Sequence, residues 1–298
     1  MSNVAVLGVG AIGGVFGVRL CRSGRHDVMF CMRKPIDKLV VETPDSVIES
    51  PVKCVTSPSE AGPVDCVLLA VKGHQIQDVT DWLEVLLGED TIIAVLQNGV
   101  EHRERVEPYA RGAEVVPVVV NCPADRLAPG HVAQQGGAQL VPEDGPGARL
   151  LASLYEDTDV PVKPTSDFTT ASWAKLCNNV GAGPATALTD KGRGVLLEPA
   201  VAELCRGLVR ECAAVGRAEG AKLADDVAER TIERLRDADP EATTSMLVDR
   251  RAGRRVEADV MTGAVVRIGA RHGIPTPLNG AVHALLSSIN VPSADNTY

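Results

Sequence analysis

Two groups of residues in this chain have the types and spacing to do chemistry. The first is Gly8-Val9-Gly10-Ala11-Ile12-Gly13, with Arg33 on its C-terminal side. A G-x-G-x-x-G between a strand and a helix is a dinucleotide turn, and each glycine has a mechanical reason. Gly8 permits the tight turn, Gly10 lets the backbone approach a pyrophosphate, and Gly13 lets helix pack on strand. Ala11 and Ile12 open the helix, whose unpaired N–H groups and partial positive charge face the phosphates. An NAD site usually has Asp or Glu about 20 residues further on, accepting hydrogen bonds from the ribose 2′-OH. Here that place holds Arg33 and then Lys34, with no acid between Val28 and Pro35. A guanidinium grips a 2′-phosphate with paired charged hydrogen bonds and stacks on adenine, so the expected cofactor is NADP(H). The competing reading of Arg33-Lys34 is a solvated basic turn.

The second group is Trp173-Ala174-Lys175-Leu176-Cys177-Asn178-Asn179, in which Lys175 and Asn179 share one face of a helix. A lysine in a partly dry cleft can have its pKa lowered enough to protonate a carbonyl oxygen as it is reduced; the same spacing also fits a solvated lysine. Further on, Thr243-Thr244-Ser245-Met246-Leu247-Val248-Asp249 is expected to open a long helix over 244–271 that carries Glu257. Its hydroxyls fit helix caps as well as partners for a substrate carboxylate. Arg250, Arg251, Arg254 and Arg255 interleave with Asp249, Glu257 and Asp259, the pattern of a solvated, ion-paired face.

These groups need elements to hold them. Val4-Ala5-Val6-Leu7 reads as a strand entering the glycine turn, with a helix to about Ser23 and a second strand over Val28-Met29-Phe30-Cys31-Met32. Near-continuous apolar runs at 64–71, 91–96 and 114–120 are strands of a parallel sheet covered on both faces, separated by helices to about 87 and over 101–109. Val52-Lys53-Cys54-Val55 is a candidate short strand. Ligands of such sheets bind beyond the C-terminal strand ends, where Gly8, Arg33, Lys72 and Asn98 all fall. Segment 131–141, with Gly136-Gly137 in its middle, reads as an antiparallel hairpin, and 160–162 as an edge strand. From about 169 the pattern is helical: 171–182, 199–219, 225–238, 244–271 and 278–288, then a loose tail from Pro292. The expected fold class is α/β: a Rossmann-like doubly wound sheet domain over 1–168, binding NADP, followed by an all-α substrate-binding domain over 169–298.

The 298 residues are 45% hydrophobic, enough for two cores. No apolar run approaches the ~18–20 residues that span a bilayer, and no basic-plus-apolar leader opens the chain, so a cytoplasmic protein without membrane association is expected. A net charge of −9 and only 3% aromatic residues argue against nucleic-acid binding. The eight cysteines have no C-x-x-C pair and no ligand-like spacing with His; reduced structural thiols and no metal site are expected. A homodimer contact through the Arg-bearing helix stays open.

Taken in order, these segments resemble the ketopantoate reductase (2-dehydropantoate 2-reductase) family nearly end to end. The resemblance runs from the glycine turn through Arg33, Val71-Lys72, Gln97-Asn98-Gly99, Trp173-Ala174-Lys175-Leu176 and Asn179 to Ser245-Met246-Leu247 and Glu257-Ala258-Asp259. It implies an NADPH-dependent reduction of a 2-oxo acid to a 2-hydroxy acid, the substrate lying in a cleft between the domains. By the family pattern Lys175 is the proton donor, Asn98 holds the cofactor ribose and reacting centre, and Glu257 touches the nicotinamide-ribose end. Arg33 and Lys72 match the adenosine-phosphate contacts, while Asn179 and Ser245, with Thr244 beside it, match the substrate site. Three family asparagines are missing: Gly183 stands one turn after Asn179, Ala242 precedes the Ser-Met-Leu segment, and Thr262 follows Glu257. Their loss implies a bulkier or less polar 2-oxo acid than ketopantoate, or another activated carbonyl. The alternatives are a catalytically silent NADP(H)-sensing protein and a hydroxy-acid dehydrogenase running in the oxidative direction.

Overall fold

Short valine- and leucine-rich runs become strands, and most of those before residue 122 join one sheet. The computed structural model of the chain describes residues 1–289; the tail expected from Pro292 lies outside them. The chain divides into two compact units, Met1–Phe168 and a second that begins at Thr169. In the first unit the chain runs β1 (Asn3–Leu7), α1 (Ala11–Ser23), β2 (Asp27–Cys31), β3 (Lys38–Glu42), β4 (Val47–Pro51), β5 (Lys53–Val55) and β6 (Val64–Leu69). It continues with α2 (Thr80–Leu86), β7 (Leu87–Val95), α3 (His102–Val106), β8 (Glu114–Asn121), β9 (Ala124–Ala128), β10 (His131–Gln134), β11 (Gln139–Pro142) and α4 (Pro146–Leu154).

Seven strands form one sheet in the order β11-β8-β7-β6-β1-β2-β5. Every pair is parallel except β11 on β8. The chain leaves β1 toward β2 and β5 on one side and returns at β6 to build outward on the other, so the order reverses between β1 and β6. That reversal is where a doubly wound sheet opens a crevice for a ligand. The apolar runs are continuous because both faces are covered: Val4 and Val6 pack with α1 and α4, whereas Ala5 and Leu7 pack with α2 and α3.

A second sheet, β4-β3-β10-β9, was not expected from the sequence. It lies against α1 on the side away from the first sheet. A Cβ at Gly14 would come within 3.0 Å of Val132 on β10, while one at Gly17 would strike the Phe30 ring on β2. α1 is therefore a middle layer, and every residue from Gly13 to Leu20 is buried. Among them is Arg19, whose guanidinium forks onto Asp159 at 2.7 and 3.0 Å and also donates to Gln134 Oε1 at 2.9 Å.

This second sheet corrects the hairpin expected over 131–141. β10 pairs with β3 and β9, while β11 crosses to the first sheet and pairs with β8. Each arm follows its own apolar side: Val132 packs on α1 within the second sheet, and Leu140 enters the core of the first. The hairpin that does form joins β9 to β10 through Gly130, at φ +75°. The edge strand expected at 160–162 is reduced to an isolated bridge, Leu140 with Val162.

The second unit is helical: α5 (Phe168–Thr189, its first residue the last of the first unit), α6 (Pro199–Ala218), α7 (Val227–Arg236), α8 (Ser245–Arg251), α9 (Thr262–Arg271) and α10 (Pro277–Ser288). α5 extends past the stop expected at 182 and carries Pro184 inside it. Thr186 and Thr189 hydroxyls donate back to carbonyls of the preceding turn at 3.1 and 2.7 Å. The single helix expected over 244–271 is two helices. Gly253, at φ +66°, closes α8 with its N–H on Arg250 O, and the Arg254 N–H reaches Asp249 O at 2.8 Å. Glu257 consequently sits on the link between α8 and α9 rather than on a helix. Among the described residues no helix is long and apolar enough to cross a membrane.

Candidate functional site

Four neighbouring strands of the first sheet bring the first group together. Register places Leu7 of β1 beside Cys31 of β2 and Leu69 of β6, and Leu69 beside Val95 of β7. Gly8, Arg33, Lys72 and Asn98 follow these residues within one to three positions, so all four stand on one C-terminal rim across the β1/β6 reversal. Ladder bonds continue just past the strands: Ala70 N–H donates to Leu7 O at 2.8 Å and Leu96 N–H to Leu69 O at 2.9 Å.

The glycine turn fits its assigned mechanics. Gly8 has φ +104°, and a Cβ there would lie 2.5 Å from Val71 N, so the turn closes against the loop that carries Lys72. A Cβ at Gly13 would collide with the Gly8 carbonyl oxygen, whereas one at Gly10 would meet nothing within 4 Å. The crowded glycines thus pack the turn and the open one faces space where a phosphate can approach. Gly10 caps α1 with no side-chain hydrogen bond, and no acidic residue occupies the first turn, which is the anion-receptive arrangement. Arg33 and Lys34 are exposed, and Lys72 is half-buried with its backbone N–H on Gln75 Oε1 at 3.1 Å.

In the second unit Lys175 and Asn179 lie half-buried on α5. The opposite side of that helix is fixed by packing: Trp173 is buried, and a Cβ at Gly216 of α6 would lie 2.9 Å from its indole. Cys177 Sγ lies 3.6 Å from Cys212 Sγ in the same seam. Thr244 is the N-cap of α8; its hydroxyl accepts from Leu247 N–H at 3.2 Å and pairs with Thr186 Oγ1 at 2.7 Å. The cap reading of Thr244 therefore holds, and the adjacent Ser245 is the exposed hydroxyl. Glu257 is buried between Val256 and Ala258, which are buried too. The basic cluster is largely tied down: Arg254 Nε donates to buried Asp249 at 3.0 Å, Arg251 to Asp190 at 2.7 Å, and Arg250 to the Ala187 carbonyl.

Gly183, Ala242 and Thr262, the positions expected from the sequence to alter the substrate pocket, have local partners. Gly183 faces Met246 at 3.7–3.9 Å from where a Cβ would stand. Buried Thr262 donates to Ala258 O at 3.1 Å. Ala242 N–H bonds to Asp239 O and its carbonyl accepts from Arg193 N–H at 2.9 Å. A cavity of about 580 Å³ beside Tyr155, Asp159 and Val160 includes none of the candidate residues.

Burial pushes the thiols of Cys31, Cys66 and Cys205 up to about 12 and that of Cys21 to about 11, which makes them inert apolar groups. Among the described residues no group of three His, Cys, Asp or Glu is placed to hold a metal ion. Gln75, Gln97 and His102, to which the sequence assigns no role, are buried polar residues flanking Lys72 and Asn98.

Residues 4–147 match the family model described as ketopantoate reductase PanE/ApbA, and residues 167–290 match its C-terminal counterpart. The chain is 40% identical over 288 residues to a 2-dehydropantoate 2-reductase of Caulobacter vibrioides, covering 97% of this chain and 99% of that one. It is 38% identical to a 2-dehydropantoate 2-reductase of Mycobacterium tuberculosis, covering 96% and 97%. The crystal structure of a PanE/ApbA family ketopantoate reductase from Ralstonia eutropha superposes with a TM-score of 0.88 at 33% identity, covering 97% and 98%.

Proposed function

Because the chain belongs to the ketopantoate reductase family, we propose that it reduces the carbonyl of a 2-oxo acid to the 2-hydroxy acid with NADPH. One observation carries the cofactor choice: a glycine turn and an exposed Arg33 stand on adjacent strand ends, with no carboxylate at the ribose position. An acid there would repel a 2′-phosphate, whereas Arg33 attracts it.

In this reading the backbone N–H groups of Gly10, Ala11, Ile12 and Gly13 hold the pyrophosphate, and Gly8 shapes the turn. Arg33 and Lys72 hold the adenosine phosphate, Asn98 the ribose near the reacting centre, and Glu257 the far end of the cofactor. When bound, NADPH supplies the hydride. Lys175 stabilises the negative charge that grows on the carbonyl oxygen and donates the proton, so that hydride and proton together make the alcohol. Asn179 and Ser245 orient the substrate, and Thr244 holds Ser245 in place as the helix cap.

The substrate half of the proposal is that the acid differs from ketopantoate. Gly183, Ala242 and Thr262 remove three amides, and Met246 borders the space beside Gly183. A site short of amides holds a polar hydroxyl less firmly and accepts a larger or less polar group in its place. A panel of 2-oxo acids assayed by NADPH oxidation tests both halves. Oxidation is expected with a larger 2-oxo acid faster than with ketopantoate, and is lost in Lys175→Ala. Ketopantoate outrunning every larger acid would reverse the substrate assignment, and NADPH binding without any oxidation would favour a sensing protein.

A further inference from the structure

His102 is the first residue of α3 and is buried, only 4% exposed. Its Nε2 lies 3.0 Å from the Gln97 carbonyl oxygen. A carbonyl only accepts, so Nε2 carries the hydrogen. Burial holds the ring below its ordinary pKa, which keeps it neutral, and Nδ1 is buried with no hydrogen-bond partner. The ring edge also rests on Phe168, centroids 6.0 Å apart. Gln97 in turn sends its side-chain N–H to the Val71 carbonyl at 2.8 Å, across the join between β7 and β6. On the far side of Val71, the Lys72 N–H is received by the buried Gln75 side chain. These uncharged groups connect two loops, and each loop carries one candidate cofactor residue, Asn98 or Lys72.

We propose that His102 is a positioning residue: acting through Gln97, it fixes the Asn98 loop against the Lys72 loop so that one cofactor meets both. The proposal rests on the reading of this rim as the NADPH site. An unpartnered Nδ1 costs stability that a leucine would not, and a buried polar group retained at such a place fits a role in geometry better than one in stability.

Hydrogen exchange on the whole protein without cofactor reads the link itself. His102→Phe keeps an aromatic ring near Phe168 and removes the donor. It is expected to speed exchange in both 70–76 and 96–102; acceleration confined to 96–106 overturns the proposal, whatever cofactor the protein uses. Gln97→Leu, which leaves His102 in place and cuts the bond to Val71, should give the same two-segment signature should His102→Phe fold poorly. Kinetics read the purpose. His102→Phe should lower kcat about tenfold, the worth of one well-placed hydrogen bond. His102→Gln, which carries an N–H to the same carbonyl, should recover most of it. In an Asn98→Ala background the substitution should cost nothing further in kcat, and an equal loss in both backgrounds overturns the assignment. If the unaltered protein oxidises no NADPH, the functional reading fails while the exchange result still decides the structural link.

Discussion

In the first unit the candidate residues are far apart in sequence yet stand on four adjacent strand ends, placed by ladder register and by glycines that admit no side chain. In the second unit Lys175 and Asn179 are four residues apart on one helix whose other side is held by Trp173 and Cys177. Backbone geometry thus makes the first site, and side-chain chemistry on a packed support makes the second. Substitutions in the first should disturb binding and folding together; those on α5 should remove chemistry and leave the fold alone.

The sharpest break between the two is Lys175→Ala. Loss of a general acid should cost about a thousandfold in kcat, with NADPH affinity by fluorescence titration and melting temperature unchanged. Next comes Gly13→Ala, whose Cβ strikes the Gly8 carbonyl. Overpacking should destabilise the protein by about 1–3 kcal/mol and weaken NADPH binding about a hundredfold by displacing the turn from the phosphates. A fall in kcat alone, with binding intact, would erase the contrast. Arg33→Ala should lower the preference for NADPH over NADH about thirtyfold, since a charge-assisted contact contributes about 1.5–3 kcal/mol.

Acid should expose the first unit selectively. Buried His102 and half-buried His26 both titrate below their ordinary value of 6.5, with desolvation the largest cause. Between that value and the lower folded one, the unfolded chain binds a proton that the folded protein refuses. Stability is therefore full above about pH 6.5 and falls as pH drops below it, by at most about 1.4 kcal/mol per pH unit for His102 and by less for the solvent-screened His26. His102→Phe should flatten part of that slope in denaturant titrations. The smallest effect belongs to Thr244→Ala, which should cost about 1 kcal/mol as a lost helix cap. A selective rise in substrate KM with no loss of stability would instead make Thr244 a substrate contact.

The glycine turn, the parallel strands and the helical second unit were legible because local pattern decides them: the central strands β1, β2, β6 and β8 are near-continuous apolar runs, and Gly8 and Gly13 are required by their own backbone geometry. The second sheet was not legible. β4 (Val-Ile-Glu-Ser-Pro) and β9 (Ala-Asp-Arg-Leu-Ala) contain no buried residue and set their polar residues side by side, so neither shows the apolar–polar alternation that marks a strand. The break before Glu257 was written in Gly253, but the apolar spacing on either side reads through it. Lys175 and Asn179 fell where the sequence placed them, because a helix fixes which residues share a face. The bond from Gln97 to Val71 depends on strand order, which no single stretch of sequence carries.

α1 had one further sign of the hidden layer: its middle contains no charged residue except Arg19 and so offers no watery side. Clamped above and below, this helix cannot slide or tilt to meet an arriving nucleotide. Adjustment to the ligand must then come from the rim segments after β2, β6 and β7, while the helix acts as a stationary reference against which they settle. Engineering for a different coenzyme should accordingly succeed at those segments and fail when attempted along the helix.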